Sequence, residues 1–129
     1  SNNYKLFRYA DAILMLAECH ARSMSMDLQA ATDYMNMTRK RAGLNPLDTY
    51  QDPDEFLTEL RAERARELAG ELHRKYDLVR WDLWYSAVTS YNDFSKLKSN
   101  IRECHEYYPI PDTECSLSNY VLTNFAYNE

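Results

Sequence analysis

The sequence predicts an all-α fold of helical hairpins with an extended C-terminal tail, and three observations carry that prediction. Two glycines and four prolines in 129 residues leave little room for the turns of a sheet protein. Runs that alternate apolar and polar residues are scarce, and apolar residues recur instead at helical spacing. A hydrophobic share of 45% suffices for one core, so residues 1–129 are expected to form a single α-helical domain. The net charge of −5 argues against a nucleic-acid backbone as partner.

From Tyr9 to Arg22, the residues Ala10, Ile13, Leu14, Ala17 and Ala21 fall on one face, which predicts a first helix over about 6–22. Its small side chains let a partner helix approach closely. After a break at Ser23 to Asp27, a second helix is expected over 27–42, with Ala30, Tyr34 and Met37 facing inward and Gly43 as the stop. Arg39, Lys40 and Arg41, the only basic run, then lie in its last turn, where the helix dipole favours them. The offsets of Leu14, Ala17, Ala21, Ala30, Tyr34 and Met37 resemble a tetratricopeptide hairpin, with Glu18 where that repeat prefers a small residue. Met15 and Met37 are expected to fill gaps in buried faces, and Met24 and Met26 to lie in the loop.

Asp52-Pro53-Asp54-Glu55 has the form of an N-cap, a first-turn proline and a capping-box glutamate. It opens a third helix, 53–70, that turns Phe56, Leu57, Leu60, Arg64 and Leu68 towards the hairpin and breaks near Gly70. A fourth piece, 72–83, follows through Tyr76, Val79 and Leu83. In this stretch Glu59, Glu63, Glu67 and Glu71 stand four apart on one helical row, where each like pair repels by roughly 0.2–0.5 kcal/mol. Carboxylates beside a core need partners. The expected answer is a semi-buried ion network of Glu67, Glu71, Arg74, Asp77 and Arg80, capped by Tyr76 and Trp81, with Arg74 more than half buried. A catalytic pair of Glu67 and Asp77 is the alternative, disfavoured by the arginines of the same stretch.

Beyond Leu83 the chain is aromatic on every side and is read as helical. Trp84, Tyr85, Tyr91 and Phe94 can either form a platform for a sugar ring or close the end of the helical layer. Packing is preferred, because no asparagine or acid cluster is fixed beside them by spacing. In the tail, Pro109 and Pro111 force an extended crossing, expected as a strap with Ile110, Leu117, Val121 and Leu122 buried.

Three cysteines without C-x-x-C spacing indicate no disulfide framework, and a bridge between Cys104 and Cys115 stays open. The adjacent pairs Cys19-His20 and Cys104-His105 point about 100° apart on a helix and do not suit one metal ion. No histidine has a glutamate three residues before it, and phosphate loops and nucleophile elbows are missing from the sequence. His73 is read as a packed structural histidine. No enzymatic activity, cofactor or metal is therefore expected. The opening Ser1-Asn2 resembles the remnant of a cleaved tag, and the chain is read as a piece of a longer protein.

Glu63, Arg64, Glu67, Leu68 and Ala69, followed by His73, Arg74, Tyr76, Asp77, Leu78, Arg80 and Trp81, resemble the signature of the SusD/RagB family of outer-membrane nutrient-binding lipoproteins. Phe7 to Glu18, Arg39 to Leu44, the Pro-Ile-Pro segment with Thr113 and Glu114, and Leu122-Thr123-Asn124 with Tyr127 are similar to further parts of that family. Four positions depart. The family usually has an aromatic at Gly70 and at Lys75 and a glycine at Leu72 and at Ala126, so the turn between the third and fourth helical pieces is shifted or remade. The resemblance implies the C-terminal portion of a lipid-anchored, cell-surface protein. Such a protein captures a glycan or other nutrient and delivers it to a TonB-dependent, SusC-like outer-membrane transporter. It also implies that ligand contacts lie largely upstream of these residues, which leaves Trp84 and Tyr85 as this chain's carbohydrate-stacking candidates. The runner-up is a free-standing tetratricopeptide-like adaptor that holds a peptide around Tyr34.

Overall fold

The computed structural model describes residues 6–91 and 100–127. All regular elements among them are helical: α1 (Tyr9–Arg22), α2 (Leu28–Arg41), α3 (Pro53–Glu67), α4 (Arg74–Arg80), α5 (Trp84–Tyr91) and α6 (Asp112–Leu117), with 3-10 turns at Glu103–Glu106 and Phe125–Tyr127. The chain divides into two compact units, the first ending at Arg74 and the second beginning at Lys75.

In the first unit α1 and α2 form a tetratricopeptide-like hairpin and α3 packs on both. Leu14, Ala17, Ala21, Ala31, Met35, Phe56, Leu57 and Leu60 make one core, with Leu28, Tyr34, Leu47 and Tyr50 against its edge. The face that α3 turns inward is the expected one, down to Arg64 and Leu68. The face of α2 is not. Ala31 and Met35 are wholly buried, whereas Ala30 and Tyr34 are half-buried and Met37 is exposed, as is Met15 on α1. The rotation follows from two threonines that apolar periodicity does not score. Thr32 donates to the Leu28 carbonyl at 2.7 Å and Thr38 to the Met35 carbonyl at 2.8 Å, so both hydroxyls are satisfied within the helix and both residues are buried.

Helix ends follow local chemistry. The Asp27 carboxylate accepts from the Ala30 amide at 2.9 Å, and that of Asp52 from the Asp54 amide at 3.1 Å with Pro53 in the first turn. Between α2 and α3, Leu47 is held by one side chain: Asn36 accepts from its amide at 2.8 Å and donates to its carbonyl at 2.9 Å. The third helix ends at Glu67, and Gly70 and Leu72 then adopt φ of 78° and 63°. Both lie in the left-handed region, so the turn places a leucine where a glycine would be unstrained.

In the second unit Asp77, Leu78, Trp81 and Cys115 are buried. The tail is not the strap that the prolines suggested. Ile110 is half-buried, but Leu117, Val121 and Leu122 are 79%, 83% and 47% exposed, and residues 112–117 coil into α6. What fixes the Pro-Ile-Pro crossing is Asn124, which accepts from the Ile110 amide at 2.8 Å and donates to its carbonyl at 2.7 Å. The Tyr127 hydroxyl donates to the Tyr107 carbonyl. Cys19, Cys104 and Cys115 are free.

The turn yields a test. Leu72 is 74% exposed, so replacing it with glycine sacrifices little burial. Relief of about 1–2 kcal/mol of left-handed strain should outweigh the roughly 0.4–1 kcal/mol that glycine costs through the unfolded chain. Leu72→Gly should therefore raise the free energy of urea unfolding by about 0.5–1 kcal/mol. A lowered midpoint would show that the leucine side chain holds the turn together.

Candidate functional site

The densest arrangement of titratable groups is the carboxylate row of α3 and its continuation at Glu71. Each member is met by an arginine. Arg66 Nη2 reaches Glu59 at 2.6 Å and Glu63 at 2.9 Å. Glu63 is buried, and it also accepts from the Thr38 hydroxyl at 3.3 Å and from Arg39 at 3.4 Å, both on α2. Glu67 lies between Arg41 at the end of α2 and Arg8 just before α1, with Arg8 Nη1 at 3.0 Å. Arg8 then places Nε at 2.9 and 2.8 Å from the two Glu71 oxygens and Nη2 at 2.7 Å from the Glu67 backbone carbonyl. One planar guanidinium thus binds two carboxylates and a helix-end carbonyl.

The electrostatics follow. Hydrogen bonding to Glu71 strongly raises the Arg8 guanidinium pKa against the opposing effect of burial, and the same bond holds the Glu71 carboxyl below its ordinary value. Arg66 is raised chiefly by Glu63. A fully buried pair completes the set: Arg64 Nη2 stands 2.7 Å from Asp11 of α1, with side chains 3% and 6% exposed.

The residues expected to form one network are divided. Glu67 and Glu71 share Arg8 and not Arg74. Arg74 is exposed and donates to the Arg61 carbonyl at 3.3 Å, which corrects the expectation of a half-buried ion pair. The cause is the left-handed turn at Gly70 and Leu72, which breaks the helical register that would have set Arg74 three residues from Glu71 on one face. Asp77 is buried and accepts from Arg80 Nε at 3.0 Å, and the Arg80 guanidinium lies 4.6 Å from the Trp81 ring centre. Tyr76, expected as a cap, is 66% exposed.

Arg8, Arg39, Arg41 and Asp11 were not anticipated as partners. A signal for Asp11 was present, since Asp11 and Glu18 stand seven apart within the apolar pattern of α1 and both are buried. Glu18 accepts from Arg22 at 2.9 Å.

Trp84 is half-buried and Tyr85 36% exposed, while Tyr91 is open to solvent; Phe94 lies outside the described residues. The Lys75 ammonium sits 5.8 Å from the Trp84 ring centre and 3.9 Å from that of Tyr108, a cation–π contact of about 0.5–1 kcal/mol at an exposed site. Tyr34, on which the adaptor reading turned, stacks on His20 with ring centres 5.4 Å apart. His73 packs near Phe7, at 6.4 Å between ring centres.

As chemistry, the row suits bracing. A general acid at neutral pH requires a carboxyl whose pKa is raised, and Glu71 is shifted the opposite way.

Two measurements probe the assignment. Arg8→Ala should cost about 2 kcal/mol, below the 3–5 typical of a broken buried pair, because Arg8 and Glu71 are about a quarter exposed and Glu67 keeps Arg41. Arg74→Ala should cost less than about 0.5 kcal/mol; equal losses would return the network to Arg74. The pH dependence has a definite sign. Glu71 binds its proton less tightly folded than unfolded, so its contribution is complete above the ordinary value of 4.5 and is lost as pH falls through the lowered native value. The stability gap between wild type and Arg8→Ala should accordingly narrow on acidification, and a gap independent of pH would refute the pairing.

A model of the SusD family matches residues 1–127 of the chain. A SusD-like protein of Formosa agariphila is 35% identical over 132 residues, a match that covers 99% of this chain and 25% of that protein. A SusD superfamily protein from Bacteroides vulgatus ATCC 8482, known from its crystal structure, aligns with a TM-score of 0.74 and 32% identity over 88% of this chain and 25% of its own. The chain spans about a quarter of the length of these relatives.

Proposed function

This chain belongs to the SusD family, and from that premise we propose that it is the scaffold part of a cell-surface protein that binds a glycan or other nutrient. In this reading the intact protein is held at the outer membrane by a lipid anchor and passes its ligand to a SusC-like, TonB-dependent transporter. The residues of this chain contribute structure and no turnover. The observation that carries the proposal is the family match across nearly the whole chain. The geometry supports the scaffold assignment, because Glu59, Glu63, Glu67 and Glu71 are each engaged by an arginine. Trp84 and Tyr85 are the stacking candidates of this chain, and Lys75 already lies over the Trp84 ring. The proposal therefore assigns them to packing and places the ligand contacts in the rest of the protein.

Calorimetric titration of the full-length protein against a glycan panel tests both parts. Binding is expected, and Trp84→Ala or Tyr85→Ala should change Kd by less than about twofold, or 0.4 kcal/mol. A loss of tenfold or more, about 1.4 kcal/mol, would make the aromatics part of the binding site. Absence of binding to any glycan would remove that ligand class. Co-purification of a TonB-dependent transporter with the full-length protein from outer membranes checks the delivery step.

A further inference from the structure

In the second unit, residues 102–107 hold the Phe125–Tyr127 turn through Tyr127. Arg102 Nη2 donates to the Tyr127 carbonyl at 3.0 Å, and the Tyr127 hydroxyl donates to the Tyr107 carbonyl. The His105 ring packs on that of Tyr127, with ring centres 5.5 Å apart. Residues 102–107 keep their own shape by closing on themselves: the His105 amide donates to the Arg102 carbonyl at 3.0 Å and the Tyr107 amide to the Cys104 carbonyl at 3.2 Å. The return bond is the one that can titrate. The Arg102 amide donates to His105 Nδ1 at 3.2 Å, and because a backbone amide can only donate, Nδ1 must carry a lone pair and the imidazole must be neutral.

Protonation removes that acceptor. It sets an N–H at Nδ1 against the Arg102 N–H, and it charges a ring that packs on Tyr127, the residue whose carbonyl the Arg102 guanidinium holds. The titratable groups of this segment are Arg102, Glu103, Cys104, Glu106 and Tyr107. The elements packed on it bring Tyr127 from the 125–127 turn and Tyr85 and Tyr91 from α5, which has no charged side chain. A carboxylate of Glu103 or Glu106 that eases charging of the ring leaves the Arg102 amide without its Nδ1 acceptor all the same. We propose that His105 is a pH-sensitive fastening of the tail, holding residues 102–107 and 125–127 together while neutral and loosening both when protonated. Imidazole changes charge between about pH 5 and 8, so mild acid suffices. The effect is local, because the grip of Asn124 on Ile110 is made by a side-chain amide and a backbone, neither of which titrates in that range. The inference concerns the second unit alone and does not depend on the ligand-binding reading.

Hydrogen exchange of the full-length protein, read by peptide mass spectrometry at about pH 7.5 and 5.0 and divided by the rate of the unfolded chain at the same pH, tests it. Protection over residues 102–107 in the wild type should fall by about fivefold or more at the lower pH. Ile110, whose amide is flanked by two prolines that have none, should change by less than about twofold. His105→Asn offers an acceptor that does not titrate, so the pH dependence should vanish whatever the level of protection in that variant. Unchanged wild-type protection would overturn the proposal, and that result needs no folded variant. An equal acid-induced loss in His105→Asn, or a loss of the same size at Ile110, would overturn it as well, the first by removing His105 as the cause and the second by making the loosening general.

Discussion

The structure depends on where the cations for α3 come from. Four carboxylates, three of them on one row of the helix, stand beside a core and each meets an arginine, of which Arg66 belongs to the helix itself. The others come from elsewhere: Arg39 and Arg41 from α2, and Arg8 from the residue preceding α1. Hydrophobic burial brings three helices together but is indifferent to small slides between them. These bonds are directional, and Arg8 in particular joins two turns of carboxylate and a backbone carbonyl in one plane. The ion set therefore fixes the register of α1 and α2 against α3, a contribution to uniqueness more than to net stability.

That division explains what could be read from the sequence. The three helices of the first unit, the α3 core face and its Asp52 cap were legible because they rest on patterns within a few residues. The pair Asp77 and Arg80 was legible too, but the partners of Glu67 and Glu71 were not, since Arg8 and Glu71 are 63 positions apart and local spacing offered Arg74 first. Two left-handed residues, Gly70 and Leu72, separate the near candidate from its acids, and a leucine does not by itself signal that conformation. Likewise the α2 face was displaced by threonines whose hydroxyls are satisfied inside the helix.

The extended segments show a second device that apolar patterning does not reveal. Leu47 follows Pro46, and Ile110 lies between Pro109 and Pro111; each is gripped at both its amide and carbonyl by one asparagine. A side-chain amide offers a donor and an acceptor side by side, as a strand neighbour would. The prolines remove backbone donors and forbid helix on the preceding residue, so such a segment needs a partner of this kind where no sheet is at hand. The tail is thus ordered by hydrogen bonds, from Asn124 to Ile110 and from Tyr127 to Tyr107, while its apolar side chains at Leu117, Val121 and Leu122 remain outside.

The same geometry gives the family resemblance a physical content. Its matching stretches in the first unit are Phe7 to Glu18, Arg39 to Leu44 and the segment that begins at Glu63. The first supplies Arg8 and Asp11, the second Arg39 and Arg41, and the third Glu63, Arg64 and Glu67. They are separate in sequence and are the three sides of one ionic contact. A change in one costs a partner in another: loss of Arg64 takes from the buried Asp11 its guanidinium, and loss of Glu67 takes the carboxylate from Arg41 and leaves Arg8 with Glu71. The stretches are therefore constrained as a set, and the match to each carries information about the others because the same interaction requires all three.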